Sequence, residues 1–251
     1  MTGPAGPPAG EPLGFPKCGK CPYRFTGPAR ICVACAATSL DAIAAAACPA
    51  CSQRLEATEP CRNWLCHDPD RRIGRIDAIS YHTGYLQQKI NSYKYDGKSG
   101  WSLIFGRLLA GWLDGHPTSS PPDLIVANPA YAGPGKEGLG HIETIIRAAA
   151  IADYEHRWAF DTRIPTAVVK TAPTEKSAGQ SATAKRAAAA DLRRVLAITD
   201  PGRTQGRDIL VFDDVCTTGS QLNAVAVCLL ADGRAARVRG LVLARAPWRP
   251  R

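Results

Sequence analysis

An α/β fold with a mainly parallel sheet is predicted by two features of this 251-residue chain, and a third feature adds a small metal-binding segment in front of it. From Ile73 onward, short apolar runs alternate with stretches of helical periodicity, as in strands joined by covering helices. One run, Ile209–Phe212, ends in two acids and a Thr/Gly/Ser turn that opens another helix. Eight of the ten cysteines fall between Cys18 and Cys66, ahead of this region.

The elements follow in order. Residues 1–16 (MTGPAGPPAGEPLGFP) are dominated by Pro and Gly and are expected to form a disordered tail. Residues 17–68 form the cysteine module, in which Ala-rich Thr38–Ala47 is expected to be a short helix. Residues 73–251 form the α/β domain, with a core expected to be separate from the module's. Strands are predicted at Ile76–Tyr81, Asp123–Ala127, Thr166–Lys170, Ile209–Phe212 and Val238–Ala244. Helices are predicted at Leu86–Tyr93, at Leu103–Leu113, on the stripe Ile142, Ile145, Ile146 and Ala149, and at Ala182–Leu196. Leu222, Val225, Ala226, Leu229 and Leu230 give the last helix one buried face, with Gly233 as its stop.

Composition sets the compartment and the class of partner. No apolar run approaches the roughly 20 residues that span a bilayer, and the N-terminus carries no apolar stretch of the signal-peptide kind, so a cytoplasmic protein without membrane insertion is expected. The net charge is +9, with 7 basic against 3 acidic side chains in residues 71–120 and 8 against 4 in residues 201–251. Such an excess suits phosphorylated metabolites or nucleic acid, and equally a solvated basic surface.

The most informative stretch is ILVFDDVCTTGSQLNAVAVCLL, Ile209–Leu230. A strand of a parallel sheet delivers the chain to the edge where ligands bind. The turn then exposes backbone N–H groups at a helix N-terminus, which carries partial positive charge. Thr217, Thr218 and Ser220 add hydroxyl donors, and Gly219 permits close backbone approach. These groups form a cradle for a phosphate dianion. Asp213 and Asp214 cannot face that anion and are better placed as acceptors for the hydroxyls of a ribose. Helix capping alone explains one acid and one hydroxyl, not two adjacent acids followed by two threonines and a glycine.

The cysteines fall in four pairs: Cys18/Cys21, Cys32/Cys35, Cys48/Cys51 and Cys61/Cys66, the first three as Cys-x2-Cys and the last as Cys-x4-Cys. Two thiolates from one such turn reach a single tetrahedral Zn²⁺, and two turns close a Cys₄ site. Eight cysteines therefore predict two structural zinc ions. Spacing does not say which pairs share an ion, and His67 is an alternative to Cys66. Cys216 and Cys228 lie apart, Cys228 as a core residue.

The run VFDDVCTTGS resembles the phosphoribosyl-pyrophosphate signature of type I phosphoribosyltransferases. The resemblance implies that fold, with Asp213 and Asp214 as the catalytic acids on the ribose hydroxyls. It also implies a loop of Val215, Cys216, Thr217, Thr218, Gly219 and Ser220 around the 5-phosphate, and Mg²⁺ held mainly by the ligand. With the paired cysteines ahead of it, and with CPACSQRL, INSYKYDGKSGWSLIFGRLLAGWL, DLIVANPA and VRGLVLAR along the chain, the sequence resembles the ComF family, associated with DNA uptake in competent bacteria. The family's arginine-rich stretch is replaced here by Ala132–Glu143, in which Lys136 is the only base. Two expectations follow. One is a phosphoribosyltransferase that uses phosphoribosyl pyrophosphate or ribose 5-phosphate. The other is a non-catalytic competence protein that binds single-stranded DNA, with Lys94 and Lys98 on its backbone and Tyr93 and Tyr95 as stacking faces, unless this segment is only a surface turn.

Overall fold

A computed structural model describes residues 29–56, 59–116, 120–131, 133, 140–174 and 182–248. The expected tail 1–16, Cys18, Cys21 and Lys136 lie outside the described residues. In chain order the elements are α1 (Arg30–Ala36), β1 (Ile76–Tyr81), α2 (Gly84–Tyr95), α3 (Trp101–Gly115), β2 (Leu124–Ala127), α4 (His141–Ala152) and β3 (Val168–Lys170). After these come α5 (Ala182–Arg194), β4 (Leu196–Ile198), β5 (Asp208–Cys216), α6 (Ser220–Ala231) and β6 (Arg237–Arg245). A 3-10 turn spans Trp64–His67.

The main sheet has the order β1-β6-β5-β2, and every pairing in it is parallel. Parallel strands need both faces covered, and β5 shows how the sequence meets that need. Its residues alternate between two cores: Leu210 and Phe212 pack with α2, α3 and α4, while Ile209 and Val211 pack with α6 and Leu192 of α5. The continuous apolar run is thus two interleaved faces of period two. β3 and β4 form a separate antiparallel pair, Val168 opposite Ile198. The three residues of β4 are too few to carry a periodic signal, and they were not expected as a strand.

Two further expectations need correcting. Thr38–Ala47 is not helical; the helix of this region is α1, which carries Cys32 and Cys35. Alanine propensity is overridden because the backbone here serves as a partner. The Asp41 carbonyl accepts from the Tyr81 N–H and the Ser80 hydroxyl, and Ala47 bridges to Arg54. Among the described residues, the module's own core is limited to the cluster around Cys48, Cys51 and Cys61. Ala36 belongs to the core under α2–α4, and Leu65 belongs to the core under α6. The N-terminal segment therefore packs on both faces of the α/β domain. Among the described residues, no helix is long and apolar enough to cross a membrane.

Candidate functional site

β5 runs to the C-terminal edge of the sheet between β6 and β2, and the chain turns there into α6. The turn opens onto a cavity of about 460 Å³, lined by Asp213–Leu222 together with His82, Lys94, Tyr95, Asn128 and His141 among others. All the predicted phosphate-loop residues, Asp213 to Ser220, border this one space. Gly219 has φ +86°, and a Cβ on it would lie 2.6 Å from Ile76 Cδ1 and 3.1 Å from Leu65 Cδ2. Only glycine fits both that conformation and that packing. Ser220 opens α6, and its hydroxyl lies 2.7 Å from the Thr218 hydroxyl.

The loop's carbonyls are tied from behind. Arg245, the last residue of β6, donates to the Cys216 carbonyl at 2.8 Å and to the Thr217 carbonyl. Asn63 of the cysteine module donates to the Thr218 carbonyl at 2.9 Å. In a trans peptide the carbonyl and the following N–H point in opposite directions. Holding these three carbonyls inward therefore turns the N–H groups of Thr217, Thr218 and Gly219 the other way. Among the described residues none of these three N–H groups has a backbone acceptor. Three amides without a backbone acceptor at the start of a 12-residue helix are an arrangement that can receive an anion.

The two acids are adjacent in sequence and opposite in electrostatics. Asp213 is buried; it accepts from Asn128 Nδ2 at 2.8 Å and from the Asp214 N–H at 2.9 Å. Burial, and then the neighbouring Asp214 charge, push its carboxyl up to about 7. Asp214 is equally buried, but Lys94 Nζ lies at 2.7 Å and His141 Nε2 at 2.9 Å. Burial alone would raise it, yet the His141 hydrogen bond and the Lys94 ammonium outweigh that and hold it below the ordinary carboxylate range.

Sequence reasoning missed Asn128 and His141 and treated Lys94 as a surface charge. Asn128 follows β2 and His141 opens α4, so both sit at the sheet edge where ligands collect. Position at the end of a predicted strand was the available signal. Lys94 points inward at Asp214 and not outward toward a nucleic-acid backbone. Tyr93 is not a stacking face either: it is buried against Phe105, and its hydroxyl donates to the His141 carbonyl at 2.7 Å. Tyr95 is exposed at the cavity rim.

The third and fourth cysteine pairs converge. The sulfurs of Cys48, Cys51, Cys61 and Cys66 all lie within 4.8 Å of one another. Cys48 and Cys66 are 3.9 Å apart, and Cys61 is 3.7 Å from both Cys51 and Cys66. A tetrahedron of Zn–S bonds near 2.3 Å has edges of about 3.8 Å, so the donor set fits a zinc ion. Protonation tells the same story. A hydrogen bond from Cys66 brings Cys51 down to about 4, while burial pushes Cys61 up to about 11 and Cys66 rises as the partner that keeps its proton. Four thiols this close cannot all ionise without a cation between them. His67 is not the alternative ligand; its Nε2 donates to the Cys61 carbonyl and steadies the turn.

Cys32 and Cys35 do not join this cluster. They sit on α1, and Cys32 Sγ accepts from Arg107 Nε at 2.8 Å. Their predicted companions Cys18 and Cys21 lie outside the described residues, and among the described residues the four-cysteine cluster is the group whose donors can hold a metal ion. Cys228 is a core residue on α6, and Cys216 is buried in the same core with its carbonyl committed to Arg245.

Compared with known proteins, the chain matches no family model and no curated relative.

Proposed function

We propose that the cavity binds the 5-phosphate and ribose of a phosphoribosyl metabolite, phosphoribosyl pyrophosphate or ribose 5-phosphate, as a type I phosphoribosyltransferase of the ComF kind would. The observation that carries this reading is the convergence, in one space, of three outward-facing amides, two hydroxyls and a pair of carboxylates of unequal acidity. The phosphate takes the amides of Thr217, Thr218 and Gly219 and the hydroxyls of Thr218 and Ser220. The ribose diol faces the acids. Asp214 stays ionised and accepts from one hydroxyl; Asp213, titrating near neutrality, can donate to the other. Both carboxylates already have protein partners, so a Mg²⁺ would be held mainly by the diphosphate of phosphoribosyl pyrophosphate and would supply charge neutralisation there.

Calorimetry with phosphoribosyl pyrophosphate, ribose 5-phosphate and inorganic phosphate, with and without Mg²⁺, tests the reading. Strong Mg²⁺-dependent preference for the diphosphorylated donor would mark a transferase, and similar affinities would mark a binding protein. Absence of binding by all three would remove the reading. One observation favours a second use: Tyr95, 73% exposed at the rim, offers a base a stacking face. Salt-dependent retention of single-stranded DNA, lost on Tyr95→Ala, would support that use.

A further inference from the structure

The metal cluster and the phosphate loop share one buried side chain. Arg245 is 1% exposed. Its Nε donates to the Cys51 carbonyl at 2.8 Å, and Nη2 lies 3.7 Å from Cys51 Sγ. Its Nη1 donates to the Cys216 carbonyl at 2.8 Å and to the Thr217 carbonyl. One planar guanidinium thus spans two turns that lie 165 residues apart at Cys51 and Cys216. Carbonyls satisfy its donors but not its charge, and an uncompensated buried cation is costly. Four thiolates around one divalent cation keep an overall negative charge, and that charge lies against Nη2.

Two further struts run the same way. Asn63, between Cys61 and Cys66, holds the Thr218 carbonyl. The Ser52 hydroxyl donates to the Ile76 carbonyl at 2.9 Å, and Ile76 with Leu65 forms the wall against Gly219. Every carbonyl that aims a cradle amide is therefore held by Arg245 or by a residue of the cysteine module.

We propose that Arg245 is a positioning residue coupling the four-cysteine metal site to the phosphate loop, so that metal occupancy sets the loop's affinity for phosphate and bound phosphate retains the metal. This rests on the reading that the loop takes a phosphate. Without metal the Cys48–Cys51 turn loses its clamp, and the Cys51 carbonyl no longer fixes the guanidinium. The Cys216 carbonyl keeps the Ala246 N–H, but the Thr217 carbonyl loses its donor, and the amides lose their common direction. Coupling of this kind is reciprocal: whatever factor the metal adds to phosphate affinity, phosphate adds to metal affinity.

Two measurements on the full zinc-loaded chain test it. In the first, zinc transfer to a chromogenic chelator is timed with and without saturating ribose 5-phosphate, using inorganic phosphate as a second probe. Release is expected to slow at least about fivefold. Arg245→Lys, which keeps the charge but not the fork, should retain zinc and lose most of that slowing. Unchanged release under a ligand shown by calorimetry to bind would overturn the coupling. The second measurement needs no ligand: amide hydrogen exchange of Thr217, Thr218 and Gly219 before and after chelation. Faster exchange there with Val211 and Leu241 unchanged supports the coupling. No change in the loop overturns it, as does an equal rise everywhere, which would make the metal a support of the whole fold. Failure of both ligands to bind would sink the phosphate reading, while the exchange result still decides whether metal and loop are linked.

Discussion

The cysteine turns and the Thr217–Ser220 turn solve a similar problem with opposite outcomes. In each, a tight turn aims polar groups of one kind at a common point. At Cys48, Cys51, Cys61 and Cys66 four sulfurs close around a single atom's worth of space, leaving no room for a substrate. At Thr217–Ser220 the amides and hydroxyls open onto a cavity of about 460 Å³. A closed site returns its binding energy as folding energy, whereas an open one keeps it for a ligand. Damage to the first should therefore appear in stability, with its effect on binding passing through Arg245, and damage to the second in binding.

The largest expected effect tests the closed side of this contrast. Cys51→Ser should lower the metal content by one ion per chain and cost at least about 3 kcal/mol of stability in denaturant titration. Cys35→Ser should leave the ion of the four-cysteine site in place. Unchanged metal content in the Cys51 variant would break the comparison. Next comes the open side. Gly219→Val places a branched side chain against Ile76 and Leu65 at positive φ, and should weaken phosphate binding at least about 100-fold, or 2.7 kcal/mol. Far-ultraviolet circular dichroism should stay close to wild type; a collapse of the signal would mean that the loop serves the fold.

A smaller effect separates the two acids from the cradle. Asp214→Asn should weaken ribose 5-phosphate about tenfold and inorganic phosphate much less, since only the former presents a diol. Equal losses in calorimetry would make Asp214 a mere counter-ion for Lys94 and His141. The finest test is pH. Asp213 binds its proton more tightly in the folded chain, so its contribution is fully present below the unfolded carboxyl range and is lost as pH rises through about 7. Wild type should therefore lose stability between pH 5 and pH 8 relative to Asp213→Asn, as read from denaturation midpoints. Parallel midpoints for the two proteins would show that Asp213 ionises normally.

What could be read from the sequence was whatever is local. Ile209–Leu230 carries its strand, acids, turn and helix in one continuous stretch, so the loop and its lining residues were legible. Cysteine spacing offered eight candidate ligands, but the meeting of the third and fourth pairs in one cluster, without Cys32 and Cys35, depends on a chain path that spacing does not encode. Lys94, Asn128 and His141 reach the acids from 120, 85 and 73 residues away, with no local mark to join them. Arg245 looked like one more basic residue at the end of a strand. Thr38–Ala47 failed for the reverse reason: its helix propensity is real but weaker than the pairing offered by Tyr81 and Ser80.

The strand order carries a consequence for how the chain is made. β6 is the last strand in sequence, yet it lies between β1 and β5. A ribosome therefore delivers β1 long before the strand that pairs with it among the described residues, and β5 waits with one edge bare until residues 237–245 emerge. The Arg245 bridge to the Cys51 carbonyl, 194 residues upstream, closes later still. Contacts of such long sequence separation are slow to form and leave apolar strand edges open to mispairing in the interval. Production at low temperature or with holding chaperones should raise the soluble yield, and shortening the chain by even its last strand should send the product to the insoluble fraction.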